Sequence, residues 1–251
     1  MGQRDLTKYT QDYEKLSFEP ILVEYRRKVI IENLKQFPTN KVLEIGCGME
    51  PIFKYFQNYD SMTIVEPTVS FFKNASEKAN DFPDKDIRIV NNLFEDAVGK
   101  IKGTKFDFII ISCLLHELSD PERFLIGLHE ISTANTVIHI NVPNSHSFHR
   151  ILAVDSGIIK DEFSLSKTQE QMQQSATYSL PLLKALLEGQ GFEVFDSGSY
   201  FLKPFTHIQM QQLVDHNIIS DQVLDGLAKI VDRLPGWGAE IFVNVKSKEA
   251  K

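Results

Sequence analysis

The stretch Val42-Leu43-Glu44-Ile45-Gly46-Cys47-Gly48-Met49-Glu50 decides the fold of this 251-residue chain. An apolar run, interrupted only by Glu44, ends in two glycines that are one residue apart. Glycine has no Cβ, so it accepts positive φ and lets another molecule approach the backbone closely. The stretch therefore predicts a buried strand that leads into a tight turn, where a ligand touches the main chain.

Two kinds of fold place glycines in such a turn. A dinucleotide-binding fold, as in an oxidoreductase, requires Gly-x-Gly-x-x-Gly, whose third glycine allows close packing of helix on strand. This chain has Pro51 at the third position, where proline suits the first turn of a helix but cannot replace that glycine. Glu44-x-Gly46-x-Gly48 at the end of a first strand instead resembles the class I methyltransferases that use S-adenosylmethionine (SAM).

Strands and helices alternate along the chain after an amphipathic helix that we predict over residues 18–37. Apolar runs predict seven strands, at 41–45, 61–65, 87–90, 106–111, 136–141, 192–195 and 240–245. Continuous apolar runs are typical of parallel strands buried on both faces, and we expect a helix at 51–57. The pattern predicts an α/β, Rossmann-like, doubly wound seven-stranded sheet, and the resemblance implies an antiparallel last strand.

We expect one methyltransferase domain over residues 1–251. Residues 1–38 would form an N-terminal helical cap and residues 40–141 the SAM-binding core. Two segments, 142–180 and 203–238, lie outside the alternating pattern and are expected to be helical lid insertions near the substrate. Both follow the carboxyl ends of strands, where open α/β sheets bind their ligands.

The resemblance implies SAM as cofactor and S-adenosylhomocysteine (SAH) as product. Glu66, about 20 residues past the glycines, is expected to accept the ribose hydroxyls. Glu44 would receive the methionine amino group, directly or through water, and Arg26 or Tyr25 would meet the carboxylate. A solvated arginine is the alternative for Arg26. Asn92 would meet the adenine, with the next residues, Leu93 and Phe94, beside the ring; the alternative is a plain asparagine-rich turn. The cofactor-binding candidates are Arg26, Glu44, Gly46, Cys47, Gly48, Glu66, Pro67, Asn92, Leu93, Phe94 and Cys113.

Five of the seven histidines lie between residues 116 and 149. Histidine titrates near neutral pH, which suits a general base that takes a proton from the methyl acceptor. The catalytic candidates are His116, His146 and His149, with structural or solvated histidines as the alternative. The substrate-binding candidates are Asn144, Arg150 and Tyr178. His146 and His149 would share a helix face, but no third ligand accompanies them, so we predict no metal.

Composition limits the partners. A net charge of −7 argues against general nucleic-acid binding, which requires a basic surface. No apolar run reaches the ~18–20 residues that a membrane span requires. The N-terminus has no apolar signal region, and the two cysteines are expected to be free thiols, so we expect a cytoplasmic protein. It would be a monomer or a homodimer.

The acceptor is expected to be a small molecule. The segment from Val142 to Arg150 looks like that of bacterial small-molecule methyltransferases. Within that group we expect O-methylation in cell-surface polysaccharide biosynthesis, on a sugar, phosphate or phosphoramidate oxygen. The alternatives are an O- or N-methyltransferase of quinone or secondary-metabolite biosynthesis, and a non-catalytic methyltransferase-like binding protein.

Overall fold

The computed structural model describes residues 5–13 and 15–248, which contain a seven-stranded sheet. The strand order is β3-β2-β1-β4-β5-β7-β6. Strand β7 is antiparallel to both of its neighbours, and the other four neighbouring pairs are parallel. The predicted sheet with an antiparallel last strand is therefore confirmed. The strands are β1 Lys41–Ile45, β2 Ser61–Val65, β3 Asp86–Val90, β4 Phe108–Ser112, β5 Val137–Pro143, β6 Phe192–Tyr200 and β7 Glu240–Ser247.

Ten α-helices of the described residues surround this sheet. They are α1 Leu6–Tyr13, α2 Glu19–Leu34, α3 Val69–Ala79, α4 Phe94–Ile101, α5 Pro121–Ile131, α6 Phe148–Asp155, α7 Lys167–Gln171, α8 Leu180–Gly189, α9 His207–Asp215 and α10 Asp221–Lys229. As the sequence indicates, Asp120 caps α5 by accepting a hydrogen bond from the Arg123 amide at 3.0 Å. None of the described helices is both long and apolar enough to cross a membrane.

Alternate residues of the central strands feed two separate hydrophobic cores. In β4, Ile109 and Ile111 contribute to the core under α4, α5 and α8. Phe108 and Ile110 face the other core, which α2 and α3 cover. All four side chains are fully buried, because a central parallel strand has helices on both faces. This explains why the strands are continuous apolar runs.

A third apolar cluster joins the N-terminal helix to the second insertion. Phe18 and Leu22 at the start of α2 pack with Phe201 after β6, Met210 of α9 and Leu224 of α10. Residues that are about 180 positions apart in the chain thus form one cap. The cap lies beside β6 and β7, at the edge of the sheet where Tyr200 ends β6 and Glu240 begins β7.

The helix predicted at 51–57 is wrong, since only a 3-10 turn at Ile52–Lys54 forms there. Pro51 has an extended backbone, with φ −56° and ψ 142°, so no helix begins at this residue. The Ile52 amide instead donates to the side chain of Glu44 in β1, and the turn closes when the Tyr55 amide bonds to the Ile52 carbonyl.

Other element boundaries differ from the sequence-based expectation by a few residues. Strand β4 begins at Phe108 rather than 106, and β5 continues to Pro143. Strand β6 extends to Tyr200, with a bulge between Val194 and Asp196 that the sequence pattern does not reveal. Helices α1 and α4 were not predicted, the latter because its first residues follow an asparagine-rich turn.

Candidate active site

The glycine turn after β1 leaves room for a ligand. Gly46 and Gly48 have φ of +77° and +55°, in the region that favours glycine. A Cβ built on Gly48 would have no atom within 4 Å, whereas one on Gly46 would meet the Leu114 side chain at 3.6 Å. The turn therefore follows the predicted geometry, with open space beside Gly48 and the chain after β4 beside Gly46.

Side chains hold this turn in place of the missing helix. The buried Glu44 accepts a hydrogen bond from the Ile52 amide at 3.0 Å. The carbonyl of Met49 accepts hydrogen bonds from Asn74 at 2.8 Å and from Lys78 at 2.7 Å, both on α3. The loop is thus fastened to its own strand at one end and to the following helix at the other.

Two buried carboxylates flank the glycines. Glu66, at the end of β2, accepts hydrogen bonds from the Thr68 amide at 2.9 Å and the Gly48 amide at 3.3 Å. Burial raises its pKa despite these bonds. Burial, together with the charge of Glu66, raises the pKa of Glu44 to about 8. Cys47 lies between them with its Sγ 3.8 Å from Glu66, and burial raises its pKa too.

The turn after β3 divides the predicted adenine contacts into two groups. Leu93 is 38% exposed and Asn92 is partly exposed, bonded by its Oδ1 to Lys100 Nζ at 2.7 Å. Phe94 is different: it is 3% exposed and packs in the core on Phe124, at 4.7 Å between ring centroids. Phe94 is therefore a core residue of the α4–α5 interface, and its expected place beside the adenine ring remains a prediction.

Asn91, which is not among the predicted site residues, holds the backbone of Glu66, the acid expected to bind the ribose. Asn91 donates from Nδ2 to the carbonyls of Glu66 at 2.8 Å and Pro67 at 3.1 Å. It thereby fixes the backbone at the end of β2 against the end of β3. The Asn91-Asn92 pair indicated that an asparagine here has a role. The sequence did not indicate which of the two side chains hydrogen-bonds to the backbone.

Comparison with known proteins decides the family. The family model described as a methyltransferase domain matches residues 22–197. The chain belongs to this methyltransferase family. A search of curated protein sequences found no match.

Several solved structures that resemble the chain are methyltransferases. One, from Clostridium acetobutylicum, is SAM-dependent and 9% identical, with a TM-score of 0.57 over 90% of this chain and 92% of that one. A SAM-dependent methyltransferase from Archaeoglobus fulgidus is 17% identical, with a TM-score of 0.55 over 88% and 94%. The plantazolicin methyltransferase BpumL, solved with SAH, is 15% identical, with a TM-score of 0.53 over 97% and 88%. At these identities the likeness is one of fold.

The protein is thus a class I SAM-dependent methyltransferase whose product is SAH, as the glycine motif and the resemblance predicted. The residues present fit this cofactor. The space beside Gly48, the exposed Leu93 and the acids Glu44 and Glu66 surround the turn that ends β1. No described group of three or more His, Cys, Asp or Glu side chains could hold a metal ion.

The methyltransferase has an unusual residue where β4 ends. Cys113 adopts φ +49°, a left-handed conformation that is rare for a residue other than glycine. Its amide donates to Asn141, at 3.0 Å to the backbone oxygen and 3.1 Å to the side-chain oxygen. Its Sγ lies 3.7 Å from Glu240 Oε2, and burial raises the pKa of this free thiol. The strained backbone aims Cys113 at β7, whose first residue is Glu240.

A network of charged side chains extends from Cys113 under the cap. Arg26 of α2 donates to Glu240 Oε2 at 2.8 Å and to Glu19 at 3.0 Å. His207 Nε2 lies 3.5 Å from Glu19, and Lys203 Nζ lies 3.0 Å from His207 Nδ1. Tyr200 donates its hydroxyl to Glu240. We define these residues as the polar cluster: Glu19, Arg26, Cys113, Tyr200, Lys203, His207 and Glu240.

The polar cluster controls the ionisation of its members. Burial opposes the charge of Glu19, but Arg26 and His207 lower its pKa to about 2. Burial lowers the pKa of Lys203 to about 8. The pKa of Tyr200 is raised by burial and by Glu240. The cluster therefore contains both charged and proton-holding groups, buried at the carboxyl edge of the sheet.

Arg26 was expected to meet the cofactor's carboxylate. Its side chain is 9% exposed and is already paired with two carboxylates, Glu240 and Glu19. This pairing assigns Arg26 to the polar cluster and the cap, and a cofactor contact remains a prediction. This pairing of Arg26 could not be predicted from the sequence, because Glu19 and Glu240 lie at opposite ends of the chain.

Two predicted substrate-binding residues instead hold the insertions. Arg150 donates to the carbonyls of Glu162 at 3.0 Å and Ser164 at 2.6 Å, and to Gln169 Oε1 at 3.0 Å. Asn144 donates to the carbonyls of Gly236 at 2.9 Å and Gly238 at 2.8 Å. Their polar atoms thus organise the loops, and their contact with the substrate remains a prediction.

The remaining candidates lie around β5 and the first insertion. Tyr178 is buried, and its carbonyl accepts a hydrogen bond from the Ser145 amide at 2.8 Å. His116 is buried beside Glu117, 3.9 Å from it. His146 is half-exposed and lies 3.2 Å from Glu162 Oε1 on the outer side of the loop.

His149 is coupled electrostatically to the polar cluster. Its Nδ1 lies 3.0 Å from the Ser147 hydroxyl. Burial, and then the charges of Lys203, His207 and Arg150, hold its pKa well below the ordinary value. His149 is therefore neutral at physiological pH and able to accept a proton.

Proposed function

We propose that this methyltransferase transfers the methyl group of SAM to an oxygen atom of a small hydrophilic acceptor. The observation that carries the proposal is the buried polar cluster at the carboxyl edge of the sheet, next to the glycine turn through Cys113 and Leu114. SAM supplies an activated methyl group, so the protein's part is to orient the acceptor and remove its proton.

His149 is the proposed proton acceptor. A hydroxyl acceptor loses its proton during methyl transfer, and a positioned neutral imidazole can take it. His149 is neutral, partly buried and coupled to Lys203 and His207. His146, half-exposed and paired with Glu162, is not coupled to that cluster, which makes it the matched comparison.

The polarity of the site favours one acceptor class over another. An acceptor beside the polar cluster must satisfy the Lys203 ammonium, whose one hydrogen bond is to His207, because unsatisfied buried charge is costly. A sugar with a phosphate or phosphoramidate decoration meets this requirement better than a quinone with an apolar tail. We therefore retain O-methylation in bacterial cell-surface polysaccharide biosynthesis as the proposed setting, ahead of quinone or secondary-metabolite methylation.

The proposal is tested by SAH release from purified enzyme with SAM and a panel of hydroxyl acceptors: neutral sugars, sugar phosphates and phenols. His149→Gln should lower kcat at least about 100-fold, the usual contribution of a general base, and leave the SAM Kd unchanged. His146→Gln should retain full kcat. Equal rates for both variants would remove His149 from the mechanism. SAM binding without turnover on any acceptor would instead favour the non-catalytic alternative.

A further inference from the structure

Lys203 is a buried cation without a nearby carboxylate partner. Its residue is 3% exposed, at the point where the chain leaves β6 for the second insertion. Within the described residues, its one hydrogen bond is to His207 Nδ1, at 3.0 Å. An ammonium group only donates, so Nδ1 accepts and the imidazole proton is on Nε2, toward Glu19. The ammonium retains two further donors that point to no carboxylate within ion-pair distance.

The carboxylates that act on Lys203 are already paired with another cation. Glu19 and Glu240 act on it, and both are bonded to Arg26. Arg150 acts on it with the opposite sign, and Arg150 has two carboxylates of its own nearby, Asp161 and Glu162. The ion pairs of Arg26 thus leave the Lys203 ammonium without one among the described residues.

Two imidazoles lie in the same field. His149 and His207 both have pKa values lowered by burial and then by the charge of Lys203. Both are neutral, so they do not offset the charge of the ammonium. A buried ammonium without an ion pair is costly unless an anion completes it.

We propose that Lys203 and His207 form an anion-binding subsite that holds a phosphate or carboxylate group of the methyl acceptor. This inference rests on the proposed function, since it assigns the anion to the acceptor. Lys203 supplies the charge and two donors. His207, which begins α9, holds Lys203 in place through Nδ1. The subsite therefore selects acidic acceptors over neutral ones.

The test is a titration of the SAH-loaded enzyme with inorganic phosphate at constant ionic strength, followed by thermal unfolding. The wild type should show a saturable rise in Tm. In Lys203→Met the apparent phosphate Kd should rise at least about tenfold, as expected for loss of a charge-assisted hydrogen bond. Lys203→Arg should retain binding. The matched control is Lys229→Met, an exposed lysine in the same insertion. A parallel titration with acetate distinguishes a carboxylate from a phosphate.

Phosphate also stabilises proteins generally by exclusion from their surface, so the difference between variants is the decisive quantity. Equal responses of wild type and Lys203→Met would overturn the subsite. Lys203→Met should fold, because it removes a buried charge. Turnover of neutral acceptors with no phosphate or acetate binding would overturn the subsite and retain the proposed function. Phosphate binding that depends on Lys203, with no turnover on any acceptor, would support the subsite and refute the proposed function.

Discussion

Replacing Glu44 with glutamine is expected to stabilise the ligand-free protein near neutral pH. Glu44 is 5% exposed, and burial together with Glu66 raises its pKa from an ordinary 4.5 to about 8. Glutamine has the same shape, can still accept the hydrogen bond from Ile52, and carries no charge at any pH. The variant therefore removes the titration of one buried carboxyl group and keeps its shape and its hydrogen bond.

The sign and the size of the effect follow from the two pKa values. Because the pKa of Glu44 is higher in the folded state than in the unfolded one, its favourable contribution is complete below pH 4.5. It is lost as the pH rises from 4.5 through about 8. Between pH 5 and pH 7, the free energy of unfolding of the wild type should fall by about 2 to 3 kcal/mol relative to that of Glu44→Gln. For a domain of this size that is a Tm difference of ~5–10 °C.

The measurement is thermal unfolding of both proteins from pH 5 to pH 8 in one buffer system without SAM. Glu50→Gln is the matched control on the same loop. Its pKa is lowered to about 2 by Lys54, Tyr55 and Lys78, although burial opposes this. Its stabilisation is present above pH 4.5 and is lost only as the pH falls toward 2, so its difference from wild type should stay constant. If Glu44→Gln and wild type differ by the same Tm at pH 5 and pH 7, the buried acid does not titrate as argued.

Three further outcomes are expected. SAM binding at pH 7 should release a proton from Glu44, because the ammonium group of the cofactor favours the charged carboxylate. Calorimetry in buffers of different ionisation enthalpy should detect this proton release in the wild type and not in Glu44→Gln. Gly48→Ala should cost about 1–2 kcal/mol of stability through its left-handed backbone and weaken SAM binding more than tenfold, because the methyl group enters the open space; Tm and Kd check each part. Arg26→Met should destabilise by about 3–5 kcal/mol by leaving Glu240 unpaired, and Arg26→Met combined with Glu240→Gln should recover much of this in urea unfolding.

The parts of the fold that could be predicted are those with a local signal. A strand buried on both faces must be apolar at every position, so 108–111 identifies β4 without any knowledge of its neighbours. The glycine turn has a similar local cause, because only glycine readily adopts the φ of Gly46 and Gly48. The failure at 51–57 has a tertiary cause: side chains of β1 and α3 hold this loop, through Glu44 at the Ile52 amide and through Asn74 and Lys78 at the Met49 carbonyl.

The polar cluster could not be predicted, because nothing local connects its members. Glu19 and Glu240 meet at Arg26 only because β7 enters the sheet beside β5, opposite Pro143, and α2 crosses that edge. A usable signal was the acid at the start of a strand that is otherwise mostly apolar, Glu240. Arg150 and Asn144 show the converse, since both lie in the predicted region but the sequence did not reveal that their donors hold loop carbonyls.

The anion subsite and the proton acceptor are linked by one electrostatic argument. The charge of Lys203 is among the causes that keep the pKa of His149 low, so His149 is a poor base while the site is without an anion. A phosphate or carboxylate bound to Lys203 would offset that charge and raise the pKa of His149 toward the working pH, where a general base is most effective. The acceptor would thereby activate the group that deprotonates it. A neutral analogue should bind more weakly because it has no anion for Lys203. It should also be deprotonated more slowly by His149, so its kcat should fall along with its affinity.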